Sequence, residues 1–213
     1  GTDYPFLRHE FLLALEQSGC VIAEQGWQAH HLVIENAQGI VALMPLYLKQ
    51  HSFGEFVFDH SWAEAYHRNG LDYYPKLVNA IPFTPCNGPR IAFQNITAET
   101  LAPLISQCLQ QEASRLNASS WHCLFPENAQ LNFWQYTDAD QRIACHFHWF
   151  NNNYASFEDF LMACQARKRK EMKRERKKVI EQGIQFMHLQ GSQISAEHIK
   201  QFYFFYVLTN AKY

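Results

Sequence analysis

Residues 30–49 read HHLVIENAQGIVALMPLYLK, and this stretch decides the fold class. Residues 30–36 are apolar and β-branched enough for a strand, Ala37-Gln38-Gly39 forms a turn, and 40–49 predicts a second strand. Such a hairpin opens many α/β domains. Upstream, residues 3–18 predict a helix. Asp3 suits its cap and Pro5 its first turn, Phe6, Leu7, Phe11, Leu12 and Leu15 repeat at helical spacing, and Ser18-Gly19 stops it. Downstream, the alternation in FGEFVF (53–58) predicts a third strand, and 61–69 a short helix ending at Asn69-Gly70.

Pro82, Pro85 and Pro89 with Gly88 predict a loop over 77–93, because proline fits neither a helix interior nor a central strand. Within it TPCNGPR (84–90) exposes backbone groups. Residues 98–116 predict an amphipathic helix on Leu101, Leu104, Ile105, Cys108 and Leu109. A strand (120–125), a short helix (127–136) and another strand (142–150) follow. The Asn151–Asn153 run marks a junction, dividing the chain into domains 1–150 and 151–213. A capping box at Ser156–Asp159 opens a helix that runs to Gly183, about 40 Å at ~1.5 Å per residue. Residues 184–189 predict a strand. A last helix starts near Ser195 and carries Phe202, Tyr203, Phe204, Phe205 and Tyr206 without a local packing partner, which implies docking on the first domain, on a second copy, or on chain beyond Tyr213.

The chain has 213 residues, 47% hydrophobic and 18% charged, which excludes wholesale disorder. No apolar run reaches 18 residues, so no membrane span is predicted. The N-terminus has no signal-peptide pattern, and Gly1 stands where Met is expected, as a tag scar or truncation point would leave it. The six cysteines form no C-x-x-C pair; they predict reduced, buried thiols and no metal. Net charge is −2, yet residues 167–178 (RKRKEMKRERKK) carry nine of the 18 basic residues.

Arg167, Lys168, Arg169 and Lys170 are consecutive and span most of a helix circumference, so a packed helix would bury part of them. With Lys173 and Arg174 they suit phosphate groups. The alternative is a solvated helix neutralised by Arg167–Glu171 and Glu175–Lys178. His146 and His148 share a strand face, and His148 is a general-base candidate if it lines a cleft. His30 and His31 point to opposite faces and read as structural. Glu55, Asp59, His60 and Glu64 cluster with Trp62, Tyr66, Tyr74 and Lys76. This is either an acidic–aromatic groove for an amine or sugar-peptide, or a capped helix with a surface lysine. No serine-hydrolase elbow, P-loop, dinucleotide fingerprint or zincin helix occurs, nor the Q/R-x-x-G-x-G/A turn of standard acetyltransferases.

Five stretches taken together resemble one family: PFLRHEFLLALEQSG (5–19), PLYLKQHSFGEFVFD (45–59), YYPKLVNAIPFTPCNGPR (73–90), HWFNNNYASFEDFL (148–161) and RKRKEMKRERKKV (167–179). They resemble the FemAB-like group, peptidoglycan biosynthesis/recognition, of the GNAT N-acyltransferase superfamily. The resemblance implies an α/β fold with a GNAT-like mixed sheet flanked by helices, one whole repeat plus the start of a second. It implies a cytoplasmic protein that transfers an acyl or aminoacyl group, from acyl-coenzyme A or aminoacyl-tRNA, to an amine such as that of a peptidoglycan precursor. His148 and Asp59 are then the base candidates. Glu55, Trp62, Tyr66, Tyr74, Lys76, Asn87, Gly88 and Arg90 would bind substrate, and the basic helix the polyanionic donor. Asn87 stands where Fem-type proteins often carry Arg. Family members are usually longer, so weak or no turnover and self-association through the aromatic helix are expected of this chain. The alternative is a non-catalytic module that binds nucleic acid or other polyanions through 167–178.

Overall fold

The computed structural model describes residues 3–145 and 147–212. The chain divides into two compact units, Gly1–Ile143 and Ala144–Tyr213. α-Helices and two sheets, one mixed and one antiparallel, are present, an α/β fold as the sequence predicts.

The first unit begins with a 3-10 turn, Pro5–Leu7, and helix α1, His9–Gln17, in place of one continuous helix. Strands β1 (Trp27–Ala29), β2 (Leu32–Asn36), β3 (Gly39–Met44) and β4 (Tyr47–Lys49) follow. The predicted second strand, 40–49, is therefore two strands in two sheets. Pro45 lies at the break, where a residue without an N–H interrupts a ladder at least cost. Then come α2 (His60–Arg68), β5 (Lys76–Asn79), β6 (Ala92–Phe93), α3 (Ala98–Arg115), β7 (Trp121–Cys123) and α4 (Asn128–Trp134). One sheet has the order β1-β4-β5-β7, with β5 and β7 parallel and the other pairs antiparallel. The second, antiparallel, has the order β2-β3-β6.

The main core packs Leu101, Ala102, Ile105, Leu109 and Ala113 of α3 against Leu48, Leu77, Met44 and Ala42. Leu104 is exposed instead, because the helix turns it away from that stripe. The predicted loop 77–93 overlaps β5 and contains β6; β5 is buried on both faces, a pattern that alternation cannot reveal. The predicted strand 53–58 is a loop. Gly54 and Phe56 are left-handed (φ 79° and 58°), which breaks a ladder while keeping alternation: Glu55 and Asp59 point in, Phe56 and Phe58 out. Residues 142–145 and 147–150, predicted as strand, form no β-ladder among the described residues, and neither do 184–189. The cysteines are free, but Cys20, Cys86 and Cys145 are exposed, since they fall outside the packed stripes.

In the second unit the Ser156 hydroxyl accepts from Asp159 N–H and the Asp159 carboxylate from Ser156 N–H, the predicted capping box. The helix it opens is not continuous. It splits into α5 (Phe157–Ala163) and α6 (Ala166–Glu181), with Cys164 extended between them. The break lets α5 fold back, so that Phe157 meets Arg176 at 4.2 Å, Glu158 pairs with Lys173, and Leu161 is buried. A straight helix would leave these groups unpartnered. Gly183 (φ 69°) terminates α6 as expected. Helix α7, Ala196–Asn210, exposes Phe202, Tyr203, Phe204, Phe205 and Tyr206.

Candidate functional site

Pleating sends alternate residues of a strand to opposite faces. In the four-stranded sheet, Leu48 and Leu77 face α3, so Lys49 and Lys76 face away. Trp27 is the register partner of Lys49, and Lys49 that of Lys76. Both lysines are at most 1% exposed. Two buried ammonium groups side by side repel and lose hydration, so carboxylates must reach them. The loop after β4 supplies these. Lys76 Nζ donates to Asp59 Oδ2 at 2.6 Å, Glu55 Oε2 at 2.8 Å and Ser52 Oγ at 2.8 Å. Lys49 Nζ donates to the Phe53 carbonyl at 3.1 Å, lies 3.5 Å from the Trp27 ring centroid and 3.9 Å from Glu55 Oε1.

The aromatic wall completes the cage. Lys76 Nζ lies 5.2 Å from the Tyr73 ring centroid and 5.7 Å from that of Tyr74. Tyr73 donates its hydroxyl to Asp59 Oδ2 at 2.7 Å, and the Tyr74 and Ser52 hydroxyls share a 2.8 Å bond. Glu55, Asp59 and Tyr74, grouped in the sequence, thus surround the chain's own Lys76 and not a ligand, and Lys76 is buried where the alternative reading expected a surface lysine. Glu55 Oε1 and Asp59 Oδ1 are buried without a hydrogen-bond partner.

These contacts set the protonation states. Burial pushes Asp59 upward, but the bonds from Lys76, Ser52 and Tyr73 win and hold it at about 2. Burial raises Glu55 in spite of Lys76 and Lys49. Burial lowers Lys49 to about 7, against the pull of Glu55 and with the push of Lys76. Burial and the Asp59 bond raise Tyr73. An Asp59 held ionised this firmly is an anchor for Lys76 and a weak proton acceptor.

Trp62 is exposed and lies under the Arg142 guanidinium, 6.0 Å away, while Tyr66 packs edge-on to Tyr73 at 5.1 Å. Arg90 is buried and grips backbone: Nε donates to Leu124 O at 2.6 Å, Nη2 to Cys86 O at 2.6 Å and Nη1 to Pro89 O at 3.0 Å. It thereby fixes the 84–90 loop. Gly88 lies under Tyr4, whose hydroxyl donates to Asn87 O at 2.8 Å; a Cβ there would be 2.5 Å from Tyr4 Cζ. Asn87 itself is exposed. His148 is an exposed residue of the second unit, stacked on Phe150. His146 lies outside the described residues.

No residue of α6 is buried; Arg169 alone of Arg167–Lys170 is part-covered, because the helix packs only lightly on α5. The pairs are Lys168–Glu171, Lys173–Glu158 and Lys177–Glu181, in place of the two expected. Among the described residues Arg167, Lys170, Arg174 and Lys178 make no salt bridge. Their spacing of three, four and four places them on one stripe about 16 Å long.

A family model for FemAB-like proteins, peptidoglycan biosynthesis/recognition, matches residues 1–213. The chain belongs to the FemAB-like family. No curated protein and no solved structure matches it. Among the described residues of this FemAB-like chain no cluster of His, Cys, Asp or Glu would hold a metal ion, and no helix is long and apolar enough to cross a membrane.

Sequence reasoning missed Lys49, Ser52 and His122, whose ring meets that of Tyr73 edge-on at 6.2 Å, as members of the site. The signal for Lys49 was its position two residues after Tyr47, which put a lysine on an aromatic inner face with Glu55 six residues on. For His122 it was the alternation Ser120-x-His122-x-Leu124, with Leu124 buried.

Proposed function

We propose that the chain takes part in acyl or aminoacyl transfer to an amine, with a peptidoglycan precursor as acceptor and aminoacyl-tRNA or acyl-coenzyme A as donor, in the cytoplasm. The observation that carries this reading is the unpaired stripe Arg167, Lys170, Arg174 and Lys178. It offers a row of exposed cations at helical spacing to successive phosphates, which both donors possess. In this reading residues 1–150 are a GNAT-like domain and 151–213 the opening of a second. Transfer needs a neutral amine, a group to take its proton, and donors for the oxyanion.

The exposure of Arg167, Lys168 and Lys170 on α6 favours a second reading, a non-catalytic polyanion-binding module. Incubating the chain with labelled aminoacyl-tRNA or acetyl-coenzyme A and a lysine-containing precursor peptide separates the two. Amide formation supports transfer. Equal binding of tRNA, duplex DNA and heparin without amide formation supports the module.

A further inference from the structure

His122 lies on β7, opposite Val78 of β5, on the same sheet face as Lys49 and Lys76. Unlike them it is only half-buried, because β7 is the sheet's edge strand. Its hydrogen bonds have a direction that can be worked out from the far end. The Ser119 hydroxyl donates its single proton to the Tyr73 carbonyl at 2.6 Å, an atom that only accepts. Ser119 Oγ therefore accepts from its neighbour, and Ser120 Oγ, 3.1 Å away, donates to it. With its proton spent, Ser120 Oγ accepts from His122 Nε2 at 2.9 Å. The proton of the neutral ring is thus on Nε2, and Nδ1 carries a bare lone pair that no described residue hydrogen-bonds.

We propose that His122 Nδ1 is the hydrogen-bond and proton acceptor for the incoming amine. This rests on the transfer reading above. In the step the amine nitrogen bonds to the donor carbonyl carbon, and the C–S or C–O bond to the leaving group breaks. The proton shed by nitrogen goes to Nδ1 and from there to the leaving thiolate or ribose oxygen. Ser119 and Ser120 are positioning residues that fix the tautomer. The charged and titratable groups around the ring are Lys76 from β5, Asp59 ahead of α2, Arg142 after α4 and the Tyr73 phenol. Burial first, then Lys76, against Asp59 and with Arg142, lower the imidazole to about 4, so the ring is neutral at neutral pH and Nδ1 takes the proton only in passing, once bonding to the carbonyl carbon has made the amine nitrogen acidic.

The test is long-range 15N–1H NMR on the full chain, with the His122 signal assigned through His122→Gln. The expected spectrum at pH 7 has the proton on Nε2 and a bare Nδ1. Adding Nα-acetyl-lysine amide as the amine probe moves Nδ1 upfield, and Ser120→Ala mixes the tautomers. A proton on Nδ1, or an Nδ1 unmoved by saturating probe, overturns the proposal. In the transfer assay His122→Gln lowers kcat by at least about 10²-fold with the donor KM unchanged; equal activity of the variant overturns the proposal. If the wild type forms no amide while the probe still moves Nδ1, the transfer reading fails and the amine site stands.

Discussion

Lys49 and Lys76 are direct cross-strand partners on β4 and β5, both buried, yet their surroundings treat them differently. Lys76 is bonded to two carboxylates and a hydroxyl, whereas Lys49 has one carbonyl, an indole face and a carboxylate oxygen at 3.9 Å. Removing one partner of a buried ion pair strands the other charge and costs about 3–5 kcal/mol. Lys76→Met is therefore expected to lose about that much in urea unfolding. Lys49→Met removes an ammonium that burial already disfavours and fills the same volume, so it is expected to change stability by about 1 kcal/mol or less. Equal losses for the two would show that the lysines share the carboxylates evenly.

Asp59 gives the cluster a pH signature. Its carboxyl is depressed to about 2, so its contribution is fully present above its ordinary value of 3.8 and is lost as pH falls toward 2. At ~1.4 kcal/mol per pKa unit, the contribution is on the order of 2 kcal/mol. Stability curves of wild type and Asp59→Asn, measured by urea unfolding from pH 6 to pH 2, are expected to converge by that amount below pH 4. Parallel curves throughout would mean that Asp59 titrates normally.

The sequence carried the helix caps at Ser156 and Gly183 and the apolar stripe of α3, because those signals are local. It also brought Glu55, Asp59, Tyr74 and Lys76 together as an acidic–aromatic group. What it could not carry was long-range pairing. Residues 53–58 alternate like a strand, but nothing in the six residues says that no ladder awaits them. The buried strand Lys76–Asn79 hides beside a proline-rich stretch and starts with a lysine, a residue rarely fully buried unless paired. Its partners come from Ser52, Glu55 and Asp59, more than fifteen residues away. The Ser119–Ser120–His122 relay was invisible for the same reason, since its end point is the carbonyl of Tyr73.

Gly88 tests how the 84–90 loop is held. Its missing Cβ leaves room for the Tyr4 ring, so Gly88→Ala is expected to cost about 1–3 kcal/mol, the range of an overpacked site. Tyr4→Ala removes the clashing ring and its bond to Asn87 O. In a double-mutant cycle by thermal unfolding, the pair is expected to cost less than the sum of the singles. Additive losses would place the strain of Gly88→Ala in the backbone and not against Tyr4.

The stripe on α6 makes a prediction that depends on counterion release. Each cation that neutralises a phosphate contributes roughly 0.7–0.9 to the slope of log affinity against log salt. Replacing Arg167, Lys170, Arg174 and Lys178 with Gln removes four charges that pair with no carboxylate among the described residues. The slope for tRNA binding is therefore expected to flatten by about 3. The same four replacements at Lys168, Lys173, Lys177 and Arg169 provide the contrast. The three lysines are already engaged by Glu171, Glu158 and Glu181, and Arg169 bonds Met162 O, so the slope should change far less. Anisotropy titrations of labelled tRNA between 50 and 200 mM salt measure both slopes (concentrations of the order used to define such slopes). Equal flattening in the two sets would mean that the polyanion senses only the total charge of the helix, and the ordered stripe would then have no part in holding a donor.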